Sequence, residues 1–537
     1  MAESLYECLL KNQNSHSPAL YYEKKRISYP EVIRRVGQLI GYFRSLGVKQ
    51  GDTVTVSLPN IPVCVYTLYA LNAIGAVQNI IHPLSPVPEI LRTAEETDSV
   101  LVILLSTAYK GNEAAFLDSG RSFAFANPMY DHSFRMRVLC RMKYGKVPET
   151  DRLHDLDRFR RKEVCTHVTP LDSASSSILL HSGGTTGMPK TIELSDDAVN
   201  HLVAKADDLL PNGMKNRSML AVLPAFHGFG LGMGIHAPIY WGETCALMTQ
   251  FSLKKTVRWI NEGKINFIIG VPLLYQKLMK EPSFLSANLQ ALECAFIGGD
   301  NVPQSLIASF NRLMEEKGSL CRMLEGYGLT ETVTVCSVNT HKEFRAESVG
   351  KPLRGIEFTV RDEEEKCLPA GTVGEVYIAG DTLMNGYRRD PDATARTVRS
   401  IEGKDWIRTG DLGYLDGDGY LFLKGRKKRV FKVAGINVYP AEVERIATDM
   451  QEDVFDAAFL LFETPKPHTV LFLVRNKNST RSEEEIRTLL RAALEERLLK
   501  YSLPRQIVFL ETFPKTAVGK TDHKAFSDVP LTEGDTL

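Results

Sequence analysis

The sequence predicts an α/β protein. It comprises a large N-terminal domain of stacked parallel α/β sheets, a β-barrel-like subdomain and a small α+β domain at the C-terminal end. Three observations predict it. Helix-period segments and strand-like segments alternate from about residue 30 to about 325. The strands among them are continuous apolar runs, which suits a parallel sheet covered by helices. From about 345 short strands with turn signals replace the alternation, which suits antiparallel pairing.

The elements follow in order. Val32, Ile33, Val36, Leu39, Ile40, Phe43 and Leu46 recur at helical spacing between Pro30 and Gly47, a first-turn proline and a stop glycine. Strand 54–58, helix 62–74 ended by Gly75, strand 77–81, helix 90–97 and strand 100–105 come next. Residues 106–170 are less regular, rich in Arg and Asp, and read as surface elements without chemistry. Strands are expected at 177–180, 191–194 and 218–223, with Ser195 as a helix N-cap. Helix 252–262, strand 265–270, helix 272–280, strand 293–297, helix 303–317 and strand 321–324 continue the alternation. Turns are read at 298–301 and 325–331, and Asp300 is read as the cap of the helix from Pro303. Strands 355–361, 373–379 and 419–424 form the antiparallel subdomain, with a hairpin turn at 416–419. The C-terminal domain reads as helix 440–448, strands 454–462 and 469–474, helix 482–499 and strand 506–510. Domain bounds are expected at 1–425, with the β subdomain over about 345–425, a junction at 426–430 and a separate small domain at 431–537.

Composition excludes several classes. The 537 residues are 43% hydrophobic and 24% charged, ordinary for a folded soluble protein. Net charge is zero, so no global field draws the chain to nucleic acid. The nine cysteines are scattered with no CxxC pair, which fits neither a disulfide framework nor a zinc site and suits a reducing cytoplasm. The first residues lack the apolar core of a signal peptide, and the longest apolar region, about 219–241, is too interrupted for a membrane span.

The chemistry centres on His181-Ser182-Gly183-Gly184-Thr185-Thr186-Gly187-Met188-Pro189-Lys190. Glycine lets backbone N–H groups approach an anion, two Thr hydroxyls can add donors, and Lys190 adds a point charge. The alternative is a flexible surface loop. It is not a P-loop, because the GxxxxGK[ST] spacing is absent and Pro189 blocks helix entry. Glu331 follows a glycine-rich turn, Gly326-Tyr327-Gly328, where a carboxylate could share Mg²⁺ with substrate phosphates. Asp411, in Thr409-Gly410-Asp411, could accept ribose hydroxyls. The run Arg426-Lys427-Lys428-Arg429 reads alone as a solvated linker, His227 as a core histidine and Lys520 as an exposed lysine.

Together and in this order, these motifs resemble the adenylate-forming superfamily of acyl- and aryl-CoA ligases, luciferase-type enzymes and stand-alone adenylation enzymes. The matched stretches are Ser182–Lys190, Gly326–Glu331, Thr409–Asp411, Gly425-Arg426, Gly435 with Pro440 and Glu442, and Pro514–Lys520. The resemblance implies a two-step reaction. A carboxylic acid is adenylated by Mg-ATP with release of pyrophosphate, and a thiol then displaces AMP. It implies that Thr185, Thr186, Gly187 and Lys190 handle the β/γ-phosphates, while Gly298, Gly299, Gly326 and Tyr327 border adenine. Thr330 would meet the α-phosphate and Glu331 would hold Mg²⁺. Asp411 and Arg426 would bind the ribose, and Lys520 would bridge the reacting groups. Lys428 matches the hinge about which the small domain swings. Lys432 and Asn437 match positions that support adenylation, Gly435 a glycine beside the thiol tunnel, and His227 a gate between acyl pocket and tunnel. Gly183, Thr191 and Asp196 depart from the family pattern, without a physical account from sequence.

Residues 224–240 contain no Asp or Glu to pair with a substrate ammonium, so amino acids are disfavoured and an apolar acid, fatty or aryl, is expected. Gly230, Gly232 and Gly234, with Gly328, are read as leaving room in the acyl pocket. CoA is the expected thiol, with Lys427, Arg429 and Lys432 as cations for it. The same three residues would equally dock a separate acyl carrier protein. A non-catalytic nucleotide- or acyl-binding module and an enzyme with an amine or oxygen acceptor are the remaining alternatives.

Overall fold

The structure, a computed structural model, describes residues 3–132, 134–145, 147–170, 172–182, 190–433, 435–462, 467–515 and 521–529. The α/β expectation holds. One sheet is ordered Gly386–Tyr387, Thr191–Ser195, Ser176–His181, Val77–Ile80, Thr53–Ser57, Ser99–Leu105, Ser122–Ala126 and Leu153–Asp155. It is parallel from Ser176–His181 onward, and its first two strands join antiparallel. The other large sheet is built on the parallel strands Arg322–Gly328, Cys294–Ile297, Phe267–Gly270, Ser218–Ala221, Thr244–Leu247 and Pro18–Tyr22. Helix Pro62–Ile74 lies between them, buried along its whole length, as befits a helix apolar on every side. One core joins Val54, Val56 and Ile178 of the first sheet to Met219, Phe267 and Ile269 of the second through this helix.

Residues 356–426 form a curled antiparallel sheet, with Ile356–Arg361, Gly374–Gly380, Lys404–Leu415 and Val398–Ile401 side by side and Leu421–Arg426 on Lys404–Leu415. Beyond it, Phe431–Val433 and Ile436–Val438 make a hairpin. Strands Val454–Phe462, His468–Arg475 and Gln506–Leu510 form a sheet covered by helices Pro440–Asp449 and Glu483–Arg497, with a core of their own.

Three local expectations fail, and one element is new. The 106–170 region is regular, containing strand Ser122–Ala126, helix Phe134–Tyr144 and strand Leu153–Asp155. Charged residues flank its short buried runs, such as 123–126 and Leu153, and mask them. Residues 326–328 are strand, because the glycines let the chain pair antiparallel with Val335–Val338. Asp411 lies within the 12-residue strand Lys404–Leu415, bent at Gly410 with φ +72°, rather than in a turn. Residues Phe229–His236 coil as a π-helix, with the Ala237 N–H reaching the Gly232 carbonyl five residues back. That form is rare and concentrates at functional sites.

Candidate active site

The stem of the glycine-rich loop is closed by reciprocal hydrogen bonds. The Ser182 N–H donates to the Lys190 carbonyl at 2.9 Å, and the Lys190 N–H to Ser182 Oγ at 2.9 Å. Thr185, Thr186 and Gly187 lie outside the described residues, as do Gly183 and Lys520. Below the stem, His181 Nε2 meets Asn79 Oδ1 at 2.7 Å, and Asn79 donates to Thr55 and Thr97. Thr191 reaches His181 Nδ1 at 3.4 Å, which accounts for one departure from the family pattern. Burial pushes the His181 pKa down to about 4, keeping the ring neutral.

Glu331 stands across from this stem. Its Oε1 accepts from the Tyr387 hydroxyl at 2.8 Å, and Lys190 Nζ lies 4.1 Å from the centroid of the same ring. Tyr387 is placed by strand Gly386–Tyr387, which pairs with Thr191–Ser195. One carboxylate, one phenol and one cation thus gather beside the stem of the loop. Among the described residues no group of three or more His, Cys, Asp or Glu could enclose a metal. A lone Glu331 fits Mg²⁺, which takes one or two protein carboxylates and draws its remaining ligands from phosphate and water.

A second cluster gathers Tyr327, Asp411 and Arg426. The Tyr327 hydroxyl donates to Asp411 Oδ2 at 2.5 Å, and Arg426 Nε pairs with Asp411 Oδ1 at 2.9 Å. Register explains it, since Asp411 and Arg426 are cross-strand partners. Thr409 Oγ1 receives the Asp411 N–H and donates to the Val376 carbonyl, fixing the bend. Burial raises the Asp411 pKa, and Arg426 and the Tyr327 hydroxyl oppose it. Gly298 approaches the strand so closely that a Cβ there would lie 2.7 Å from the Gly326 carbonyl, and Gly299 has φ +81°.

Thr330 and Glu331 sit in the short turn Thr330–Thr332. It ends at Val333, whose φ of 65° and ψ of −60° form a γ-turn closed by the Thr334 N–H on the Thr332 carbonyl at 2.8 Å. A buried β-branched residue at positive φ is strained. The neighbouring glycines accommodate this turn. A Cβ on Gly228 would lie 1.7 Å from the Val333 carbonyl oxygen, and one on Gly328 1.5 Å from that of Thr334. At Gly230 a Cβ would lie 2.2 Å from the Pro224 carbonyl oxygen, at Gly232 3.2 Å from Leu202 Cδ2 and at Gly234 3.1 Å from Ile269 Cδ1. The expected reason for these glycines is therefore corrected: they allow close packing and do not leave open volume. His227 is half-buried against Phe226, ring centroids 4.3 Å apart, and Phe226 in turn meets His82 at 4.6 Å.

Lys427 pairs with Glu375 at 3.1 Å and Arg429 with Glu444, so the turn is tied to both the β subdomain and helix Pro440–Asp449. Lys428 between them is exposed. Those two pairs remove Lys427 and Arg429 from the expected free cations. Lys432 and Asn437 face each other across the hairpin, and Gly435 at its tip has φ +81° with open space around it. No hydrogen bond or ion pair among the described residues joins this hairpin to the Asp411 cluster.

Sequence reasoning missed several residues. Tyr387 is 56 residues from Glu331, with no local signal. Asp196 is buried and accepts from the Asn72 amide, Ser177 and the Leu5 N–H, so it anchors helix Leu5–Lys11. Asp300 does not cap the helix Gln304–Glu316. Its carboxylate takes the Asn301 N–H, and Asp449 accepts from the Gln304 and Ser305 N–H groups. The Gln304 side chain then donates to Glu325, beside Gly326. Burial pushes the Glu325 pKa up to about 7, opposed by that bond and by Arg445.

Residues 10–388 match the AMP-binding enzyme family. The chain belongs to it. Among curated relatives of this AMP-binding enzyme, 4-coumarate–CoA ligase 1 of Solanum tuberosum is 27% identical over 504 residues, 92% of this chain and 87% of that protein. 4-Coumarate–CoA ligase-like 9 of Oryza sativa subsp. japonica is 29% identical over 517 residues, 93% and 87%. Among solved structures, an anthranilate CoA ligase in complex with anthranoyl-AMP superposes with TM-score 0.85 at 22% identity, covering 98% of this chain and 97% of that one. ATP-bound MatB from Rhodopseudomonas palustris gives 0.84 at 21%, covering 98% and 99%. At such identities the structures establish the shared fold alone.

Proposed function

We propose that this AMP-binding enzyme is an ATP-dependent acid–thiol ligase that activates an apolar carboxylic acid and transfers its acyl group to CoA. The observation that carries the reading is that strand Arg322–Gly328 and the turn after it join two clusters, Tyr327 contacting Asp411, which pairs with Arg426, and Glu331 contacting Tyr387, whose ring lies under Lys190. The relatives that are CoA ligases support it. In the first step a substrate carboxylate oxygen attacks the α-phosphorus of ATP. The bond to the β-phosphate oxygen breaks, giving acyl-adenylate and pyrophosphate. In the second a thiolate attacks the acyl carbon and AMP leaves. Mg²⁺, when bound, offsets phosphate charge, and Glu331 is the residue to hold it. Lys190 and the loop N–H groups grip the departing phosphates, Asp411 and Arg426 orient the ribose, and Tyr327 with Gly298 and Gly299 borders adenine. Thr330 faces the α-phosphate, and donors fixed before charge develops lower the barrier.

Lys520 completes the first step and the 431–537 domain swings about Lys428 for the second. Gly435 borders the thiol path and His227 gates it, while Lys432 and Asn437 support adenylation. The acid binds beside His227. The absence of Asp and Glu at 224–240 favours an apolar acid, and the aryl specificity named for the curated relatives favours an aryl one. Pyrophosphate release measured over fatty and aryl acids tests the first half; no acid-dependent release with any acid would overturn the ligase reading. Thioester formation from CoA against a purified carrier protein then decides the acceptor. Lys520→Ala is expected to suppress adenylation at least about 100-fold while sparing thioester formation from supplied adenylate; equal losses in both steps would remove its role.

A further inference from the structure

Helix Phe134–Tyr144 is turned inside out. Its inward stripe carries Cys140, which is buried, with the half-buried Arg137 and Tyr144. The outward stripe, at helical spacing, is Arg135, Val138, Leu139 and Met142, with Met142 78% exposed. Met136 and Lys143 are exposed on its flanks. A soluble helix ordinarily places such apolar residues on its inner face. The local charge is one-sided as well. Between Asp131 and Glu149 the sequence has Arg135, Arg137, Arg141, Lys143 and Lys146 and no acid, although the whole chain is neutral. Asp131 and Glu149 are themselves engaged, with Arg160 and Arg158.

The position of this helix relates it to the site. It follows strand Ser122–Ala126, which runs parallel to Ser176–His181 through the intervening strands. Helix and glycine-rich loop therefore leave the same end of the sheet, four strand spacings or about 19 Å apart. The segment after strand Val77–Ile80 leaves that end too. It carries Leu84, 81% exposed, two residues beyond His82, whose ring contacts Phe226 beside His227. Lys110, after strand Ser99–Leu105, reaches the Lys143 carbonyl.

We propose that this end of the sheet is a docking face for an anionic bilayer surface, with Leu84, Val138, Leu139 and Met142 entering the interface and Arg135, Lys110 and Lys143 meeting lipid phosphates. The helix has 11 residues, half the length a span needs, so it lies in the interface plane. A second copy is the poorer occupant, because a two-fold contact would set the cations of one copy against those of the other. An apolar acid dissolved in the lipid would then enter beside Phe226 and His227. That consequence rests on the ligase reading; the lipid contact does not.

Co-sedimentation with vesicles tests it, using phosphatidylcholine alone and phosphatidylcholine mixed with phosphatidylglycerol. Binding at least about tenfold tighter on the anionic vesicles is expected, weakening as salt is added. Leu139→Glu with Met142→Glu is expected to abolish it while leaving pyrophosphate release with a water-soluble acid unchanged. No binding to either vesicle, or equal binding by the variant, overturns the proposal. So does a native dimer, seen by ultracentrifugation, that the variant dissociates without any vesicle binding. Vesicle binding without acid-dependent pyrophosphate release would overturn the ligase reading and leave the lipid face standing.

Discussion

Glu331 shows how a single carboxylate is kept ready. The Tyr387 hydroxyl holds its orientation, and Lys190 sits over the same ring. Glu331→Gln is expected to cut acid-dependent pyrophosphate release at least about 100-fold, and Tyr387→Phe by a smaller factor, since it removes only the orienting bond. Equal effects would make Tyr387 more than a support. Val333 poses a different test. Burying a valine side chain is worth about 1.5–3 kcal/mol, whereas its backbone conformation costs about 1–3 kcal/mol. The two nearly cancel, so Val333→Gly is expected to change unfolding free energy by no more than about 1–2 kcal/mol. A loss of about 4 kcal/mol would mean that the turn stores little strain. The sequence could not show this, because positive φ at a valine is imposed by the Thr332–Thr334 hydrogen bond and the packing of Gly228 and Gly328.

Among elements, long apolar segments were legible and short or composite ones were not. Helix Pro62–Ile74 and its Gly75 stop were read to the residue, because composition, proline and glycine agree. Strand Ser122–Ala126 was missed, because five residues beside a charged stretch carry too little periodicity. Asp411 was recognised in the wrong setting, since a glycine bend inside a strand and a Gly-Asp turn read alike. The loop stem adds a pH dependence. His181 is held neutral by burial, with its pKa near 4 against an ordinary 6.5. The unfolded chain binds the extra proton first as pH falls. The stabilising contribution is thus complete above about pH 6.5 and lost toward about pH 4, on the order of 3 kcal/mol. The melting temperature should fall more steeply between about pH 7 and about pH 5 in the native protein than in His181→Gln; parallel curves would place the acid sensitivity elsewhere.

At the level of the whole molecule, the order of motifs carried more than any motif alone. The α/β core, the antiparallel subdomain and the α+β C-terminal part were all legible from patterning. Contacts between parts were not, because they join residues more than a hundred positions apart. Asp449 is the clearest case. Helix Gln304–Glu316 begins at Pro303, which offers no side-chain cap, and the missing acceptor comes from the far end of helix Pro440–Asp449. Asp449→Ala is expected to cost about 1 kcal/mol and to speed amide hydrogen exchange at Gln304 and Ser305 about fivefold; unchanged exchange would deny the carboxylate that part. The consequence reaches further. The first turn of helix Gln304–Glu316, whose Gln304 side chain reaches Glu325 beside Gly326, is finished only while helix Pro440–Asp449 is seated. The two amides of Gln304 and Ser305 therefore form a built-in gauge. Their exchange rates report, from inside the larger part of the molecule, whether the smaller part is docked against it.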